Sequence, residues 1–273
     1  MIIKTALISC LMFTLAAGVS AQQDGVAQLD AELKADLGKG PCKNDDRLNA
    51  VKELFKQRGA SDADIQIAKY KDAEDVVLTK KGKTDDTIVI GAHYDKVKDG
   101  CGILDNWSGI VILARLYQTL SKAETQKTII FVAFGNEETG LKGSDAMVKA
   151  IPKAEREHYC GIVNLDSFGL GYIVILKNAS SPKMIKVATD LGTELKVPVS
   201  PISVDGADAD SSSFVKNGIP GVTLSALSDK WPEYMHTSKD KLENILIPSV
   251  RVGYLYTSEY LKKIDAAPCA AYR

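Results

Sequence analysis

Residues suited to holding metal recur in this chain at the ends of apolar runs. "TIVIGA" leads into His93-Tyr94-Asp95, "IIFVAFGN" into Glu137-Glu138 and "GIVNL" into Asp166. Asp105 stands just before the apolar stretch of "NWSGIVILARL", and His236 follows "PGVTLSA" after a loop. Imidazole nitrogen and carboxylate oxygen suit zinc, which binds them at about 2.0–2.2 Å and keeps one position open in catalytic sites. Five such donors are too many for one tetrahedral ion with an open position. They suffice for two ions roughly 3.5–4 Å apart if one carboxylate bridges them. Neighbouring side chains at a strand end point in different directions, so of two adjacent glutamates one can bind metal while the other takes a proton from the water between the metals. Each residue also has an ordinary reading: a lone His as a packing residue, Asp105 as a helix cap, Asp166 as a loop acid, and Glu137-Glu138 as a solvated turn. Coincidence of all of them at strand ends or helix starts favours the site. His158, in "REHYCG" at the start of a strand, reads as a surface or packing residue.

Sites in open α/β sheets gather beyond the carboxyl ends of the parallel strands, so the elements between these residues should be strands alternating with helices. "NDDRLNAVKELFKQRG" reads as a helix capped by Asn44 or Asp45, with Leu48, Val51, Leu54 and Phe55 on one face and Gly59 at its end. "ADIQIAKYKDAEDVVLTKKGKTDDTIVIGAHYD" reads as antiparallel strands with "KKGKTDD" as a hairpin connection. After it, "NWSGIVILARLYQTLSK", "GSDAMVKAI", "SPKMIKVATDLGTEL", "SSSFVKNG" and "IPSVRVGYLYTSEYLKKI" are helical patterns. The strands among them are "KTIIFVAF", "GIVNLDSFG", "YIVILK" and "PGVTLSA". Continuous β-branched runs mark strands covered on both faces. The expectation is a three-layer α/β sandwich, a central mixed β-sheet flanked by helices, forming a single domain over residues 44–273.

The first 21 residues carry one lysine, an apolar run and the small residues Val19-Ser20-Ala21. This is the pattern of a signal peptide cleaved after Ala21, which places the mature chain in the periplasm or outside the cell. Residues 22–43, polar and small, read as a flexible mature N-terminus. No other segment is long and apolar enough to anchor the chain in a membrane. With 34 Lys and Arg against 35 Asp and Glu, the composition carries no nucleic-acid footprint. Cys42, Cys101, Cys160 and Cys269 remain after cleavage, an even count that favours two disulfides in an exported protein. No two of them have the close spacing of a thiolate zinc site. Cys160 lies six residues before Asp166, about 20 Å along an extended strand, whereas Cys101 is four residues from Asp105. Pairing Cys101 with Cys160 is therefore disfavoured though not excluded, and Cys42 with Cys101 and Cys160 with Cys269 is the preferred arrangement.

The motifs "GAHYD", "GILDNWSGIVILARL", "FVAFGNEETGLKGS", "NLDSFG", "DSSSFVKNGIPGV" and "MHTSKDKLENI", in this order, resemble the co-catalytic zinc exopeptidases. That family includes secreted bacterial leucine-type aminopeptidases, glutamate carboxypeptidases and glutaminyl cyclases, and the resemblance runs over about residues 44–264. It implies two zinc ions per chain: His93 and Asp166 on one, Glu138 and His236 on the other, Asp105 bridging, often through a cis peptide to Asn106. It implies Glu137 as general base toward a metal-bridging hydroxide, and Asp95 orienting the His93 ring. Tyr234, next but one to His236, is a candidate oxyanion donor, with packing as its ordinary role. Where many relatives read Ser-Asp-His, this chain has Ala209-Asp210-Ser211. Asp210 is a candidate substrate-binding residue in a loop whose usual hydrogen bonds are in doubt.

The implied activity is removal of N-terminal residues from peptides with a free N-terminus, by a monomer. The alternative on the same fold is a glutaminyl-peptide cyclotransferase with a single zinc. A non-catalytic binding domain is disfavoured because all five ligands and Glu137 are present. Arg115, the one Arg within these motifs, lies in a helix interior and reads as structural, so no Arg is placed to receive a substrate carboxylate.

Overall fold

The computed structural model describes residues 23–273; the expected signal peptide lies outside them. Residues 23–37 are helical (α1), followed by α2 (Asn44–Gln57), β1 (Gln66–Lys69), β2 (Glu74–Lys80) and β3 (Thr87–His93). Next come α3 (Ser108–Leu120), β4 (Thr128–Phe134), α4 (Lys142–Ala150), β5 (Tyr159–Phe168) and β6 (Tyr172–Leu176). The chain continues with α5 (Pro182–Leu195), β7 (Val199–Ile202), α6 (Asp210–Lys216), β8 (Gly221–Leu227) and α7 (Ile247–Ala266).

The strands form one mixed sheet in the order β1-β2-β4-β3-β5-β8-β6-β7. Its centre, β4-β3-β5-β8, is parallel, so the carboxyl ends of these four strands open on one edge. Alternation along β4 shows why the sheet is covered twice. Ile129, Phe131 and Ala133 enter the main core beneath α2, α3 and α7, while Val132 and Phe134 enter a smaller core with Met147 and Val148 of α4 and Phe214 of α6.

Two local expectations are corrected, and one strand was not expected. "KKGKTDD" is not a hairpin: β4 lies between β2 and β3. Lys83 and Thr84 instead donate their N–H groups to the carbonyls of Thr125 and Gln126 ahead of β4 (3.1 and 2.8 Å). The crossover through α3 thus gives β4 a strand neighbour on each side, β2 antiparallel and β3 parallel. The N-cap of α2 is Lys43, without a side-chain cap bond. The amide of Asn44 instead brackets Lys96, donating to its carbonyl (2.8 Å) and accepting its N–H (2.9 Å). Strand β7 was not foreseen because Pro201 interrupts its pattern; on a sheet edge, a proline forfeits no needed hydrogen bond.

The reading of residues 22–43 as loose is also corrected. Leu29, Leu33 and Leu37 recur every four residues, and the last two are fully buried against the main core. Asp36, also on α1, is buried between Arg58, Arg115 and Lys39, and its carbonyl accepts the indole N–H of buried Trp107 (3.0 Å). Arg115 is therefore structural, as expected. Asp36→Ala would take from buried Arg115 one of two carboxylate partners, leaving Glu32 at 2.9 Å, and would also break the pair with Arg58; a cost of about 3 kcal/mol, the low end for breaking a buried pair, follows. A loss of that order in urea denaturation is the expected result, and no loss would show α1 to be undocked.

Candidate metal centre

Each parallel strand of the sheet centre delivers a piece of the site at or just past its carboxyl end. His93 closes β3, Glu137 and Glu138 follow β4, Asp166 lies near the end of β5, and His236 follows β8. Asn136, Ser167 and His236 take positive φ of 59°, 66° and 58°, a left-handed conformation that turns the chain sharply beside each donor. Asp105 comes from the segment ahead of α3, where the Asp105–Asn106 peptide is cis.

The two oxygens of Asp105 face different imidazoles. Oδ1 lies 3.1 Å from His93 Nε2, and Oδ2 lies 2.9 Å from His236 Nε2. Asp166 Oδ1 approaches His93 Nε2 at 3.7 Å, and Glu138 Oε2 approaches His236 Nε2 at 3.3 Å. His93, Asp105 and Asp166 thus form one group, and Asp105, Glu138 and His236 a second, with the donor atoms of each within 4.8 Å of one another. The other oxygen of Glu138 is buried without a hydrogen-bond partner. Imidazoles and carboxylates converging around an orphaned oxygen fit zinc.

Electrostatics point the same way. Burial alone would lower His93, but Glu137 and the hydrogen-bonded carboxylates of Asp105 and Asp166 hold it well above the ordinary imidazole range. Hydrogen bonds to Asp105 and Glu138 push His236 up to about 10. Burial and the neighbouring acids push Glu137 up to about 9, against the pull of His93. Without metal the cluster holds protons; a cation in their place would release them.

Asp95 meets the His93 ring and also does something further. His93 Nδ1 lies 3.2 Å from its main-chain carbonyl and 3.8 Å from its carboxylate. The carboxylate also accepts the N–H groups of Glu137 (2.9 Å) and Glu138 (3.1 Å). Asp95 thereby ties the turn carrying both glutamates to the strand carrying His93. Asp75 on β2 supports the same turn by accepting the Gly135 N–H (2.9 Å), while its second oxygen is buried and unpartnered. Burial pushes Asp75 up to about 8, whereas an unfolded Asp titrates near 4. Between those values the folded chain binds the extra proton, so this group makes stability fall as pH rises. Asp75→Asn should match wild type near pH 4 and exceed it by a growing margin toward pH 8, as measured by urea denaturation at each pH.

Behind the donors opens a cavity of about 710 Å³. Val174 and Leu176 of β6, Ile202 of β7 and Leu227 of β8 provide an apolar floor, with Trp231 and Met235 at one side. Register pairs Leu176 with Ile202 and Val174 with Ser225, which also lines the cavity. Tyr234 does not line it: its ring lies beneath the Lys239 ammonium (5.5 Å) and packs on the core, its ordinary role. Asp210 begins α6, fully buried, with both oxygens unpartnered and its carboxyl pushed up to about 7 by burial. It stands behind the wall, not on it.

The cysteines pair as preferred, Cys42 with Cys101 and Cys160 with Cys269. Sequence reasoning missed Arg47, Asp240 and the β6-β7 floor. Arg47 did leave a signal, one turn before Val51 on the apolar face of α2, and Asp240 lies four residues after His236.

A model of peptidase family M28 matches residues 75–252. The chain belongs to that family. Leucine aminopeptidase 1 of Pyrenophora teres f. teres is 27% identical over 224 residues, covering 72% of this M28 chain and 57% of that protein. The chain thus spans little more than half the length of this relative. The Legionella pneumophila LapA aminopeptidase superposes with a TM-score of 0.70 at 20% identity, over 90% of this chain and 71% of that one. The Fimbriiglobus ruber glutaminyl cyclase superposes with a TM-score of 0.70 at 14% identity, over 86% of this chain and 93% of that one. At such identities these two likenesses establish the fold shared by the M28 chain.

Proposed function

We propose that this chain is a zinc-dependent aminopeptidase that holds two zinc ions. The supporting observation is Asp105, whose two oxygens face two imidazoles and join two three-residue donor groups. His93 and Asp166 would hold one ion, Glu138 and His236 the other, and Asp105 both. Zinc bound there would supply Lewis acidity toward the scissile carbonyl and lower the pKa of a bound water. Glu137, half-buried on the cavity wall, accepts the proton of the attacking water and returns it to the leaving amine. Asp95 holds Glu137 at that station through its main-chain N–H.

The apolar floor favours an uncharged, bulky side chain on the residue removed. Lys216, on the cavity wall, is paired with Asp208 at 2.7 Å, which leaves it poorly suited to receive a substrate carboxylate. Two disulfides support a location outside the cytoplasm. No helix among the described residues is long and apolar enough to cross a membrane.

A second reading, cyclisation of N-terminal glutamine with one zinc, is favoured by one observation: the chain covers 93% of the Fimbriiglobus ruber cyclase. Metal analysis of the purified chain, with leucyl and glutaminyl test substrates, separates the two. Two zincs with release of leucine is the expected result. One zinc with cyclised glutamine would replace the first reading by the second, and no metal would overturn both.

A further inference from the structure

We propose that Arg47 and Asp240 are positioning residues that grip the segment from Cys101 to Asp105 from two sides and thereby hold the Asp105 carboxylate between the two imidazoles, an inference that rests on the two-zinc reading. Arg47 projects from α2 and is fully buried. Its Nη2 donates to the carbonyls of Cys101 (2.7 Å) and Gly102 (2.8 Å), and its Nη1 to the carbonyl of Tyr94 (2.7 Å), the residue after His93. One guanidinium therefore fixes the chain leaving His93 and the chain approaching Asp105.

Asp240 takes the complementary groups. Its Oδ1 accepts the Leu104 N–H (2.6 Å), its Oδ2 the Asp105 N–H (3.1 Å), and its main-chain carbonyl the Cys101 N–H (2.8 Å). Asp240 lies four residues beyond His236, so it also couples the His236 loop to Asp105.

The chemistry of the two grips sets the register. Guanidinium only donates and carboxylate only accepts, so a slip of the segment would set N–H against N–H and carbonyl against carboxylate. The segment is shaped for this closeness. Gly100, at φ +70°, would place a Cβ 2.5 Å from the Thr237 carbonyl and 3.0 Å from the Asp240 Cβ. Gly102, at φ +58°, would place one 2.9 Å from Arg47 Nη2. The Cys42–Cys101 disulfide ties the same segment to the residues leading into α2.

Asp240→Asn and Arg47→Lys test the proposal. The first keeps size but turns one acceptor into a donor facing an N–H; the second keeps charge but loses the forked donors. Zinc affinity is measured on the full chain by competition with a chromogenic chelator, alongside kcat and KM for a leucyl substrate at saturating zinc. Asp265→Asn serves as control, because Asp265 likewise accepts two main-chain N–H groups, of Gln126 and Lys127 (3.0 and 2.8 Å), at the opposite end of β4.

The expected result is zinc binding weakened by about 10- to 100-fold in both variants, with kcat lowered and KM little changed. The control should lower the melting temperature alone. Wild-type zinc affinity and kcat in both variants, with only a lowered melting temperature, would overturn the grip while sparing the two-zinc reading. Wild-type protein that binds fewer than two zincs would overturn both. If Arg47→Lys fails to fold, Asp240→Asn decides by the same criteria.

Discussion

Glu137→Gln is expected to leave two zincs bound while lowering kcat by about 10²- to 10⁴-fold, the usual range for loss of a general acid or base. That range corresponds to roughly 3–5 kcal/mol of transition-state stabilisation. Gln matches Glu in shape but cannot take a proton from water, and Glu137 belongs to neither of the two donor groups that converge on Asp105. Parallel zinc analysis and steady-state kinetics would check both halves. If zinc content fell with kcat, Glu137 would be a ligand and the division of labour with Glu138 would be reversed. Unchanged kcat would remove Glu137 from the chemistry.

Asp105→Ala should have the larger effect on metal. Both donor groups contain this residue, so its loss leaves each with two side chains. Zinc per chain should fall from two to below one after dialysis, and activity should fall to background. Asp166→Ala, which breaks only the group of His93, should retain about one zinc, since only one of the two sites a shared carboxylate serves is lost. Equal losses in the two variants would contradict a bridging role for Asp105. Removal of Asp105 also takes away the first of the two hydrogen bonds that hold His236 at about 10. Its imidazole in the metal-free chain should then titrate lower, as followed by NMR.

Much of this centre was legible in the sequence because its donors follow strands, and strands covered on both faces announce themselves as unbroken apolar runs. His93, Glu138, Asp166 and His236 could be placed at strand exits before any geometry was known, and Asp105 ahead of a helix. What lay hidden was pairing across the sheet. Nothing local in "KKGKTDD" tells that β4 will part β2 from β3, because that choice is made by the crossover through α3. Leu29, Leu33 and Leu37 make a stripe one residue wide, too thin to separate a docked helix from a solvated one without its partners Arg58 and Arg115. The hold of the Asp95 carboxylate on the glutamate turn was hidden for a related reason: its partners, the N–H groups of Glu137 and Glu138, are main-chain groups that no sequence pattern displays. Arg47 on an apolar face was the one anomaly that pointed to its own explanation.

The parallel strands β4-β3-β5-β8 also distribute the donors along the chain. The donors begin at His93 and are complete only with His236, whose loop follows β8, the last strand along the chain. Any chain stopped short of β8 lacks the second donor group, however well its first strands have paired. The first donor group, His93, Asp105 and Asp166, can close without that loop, but the second cannot, so on the two-zinc reading occupancy of the second group alone would report a chain folded through β8.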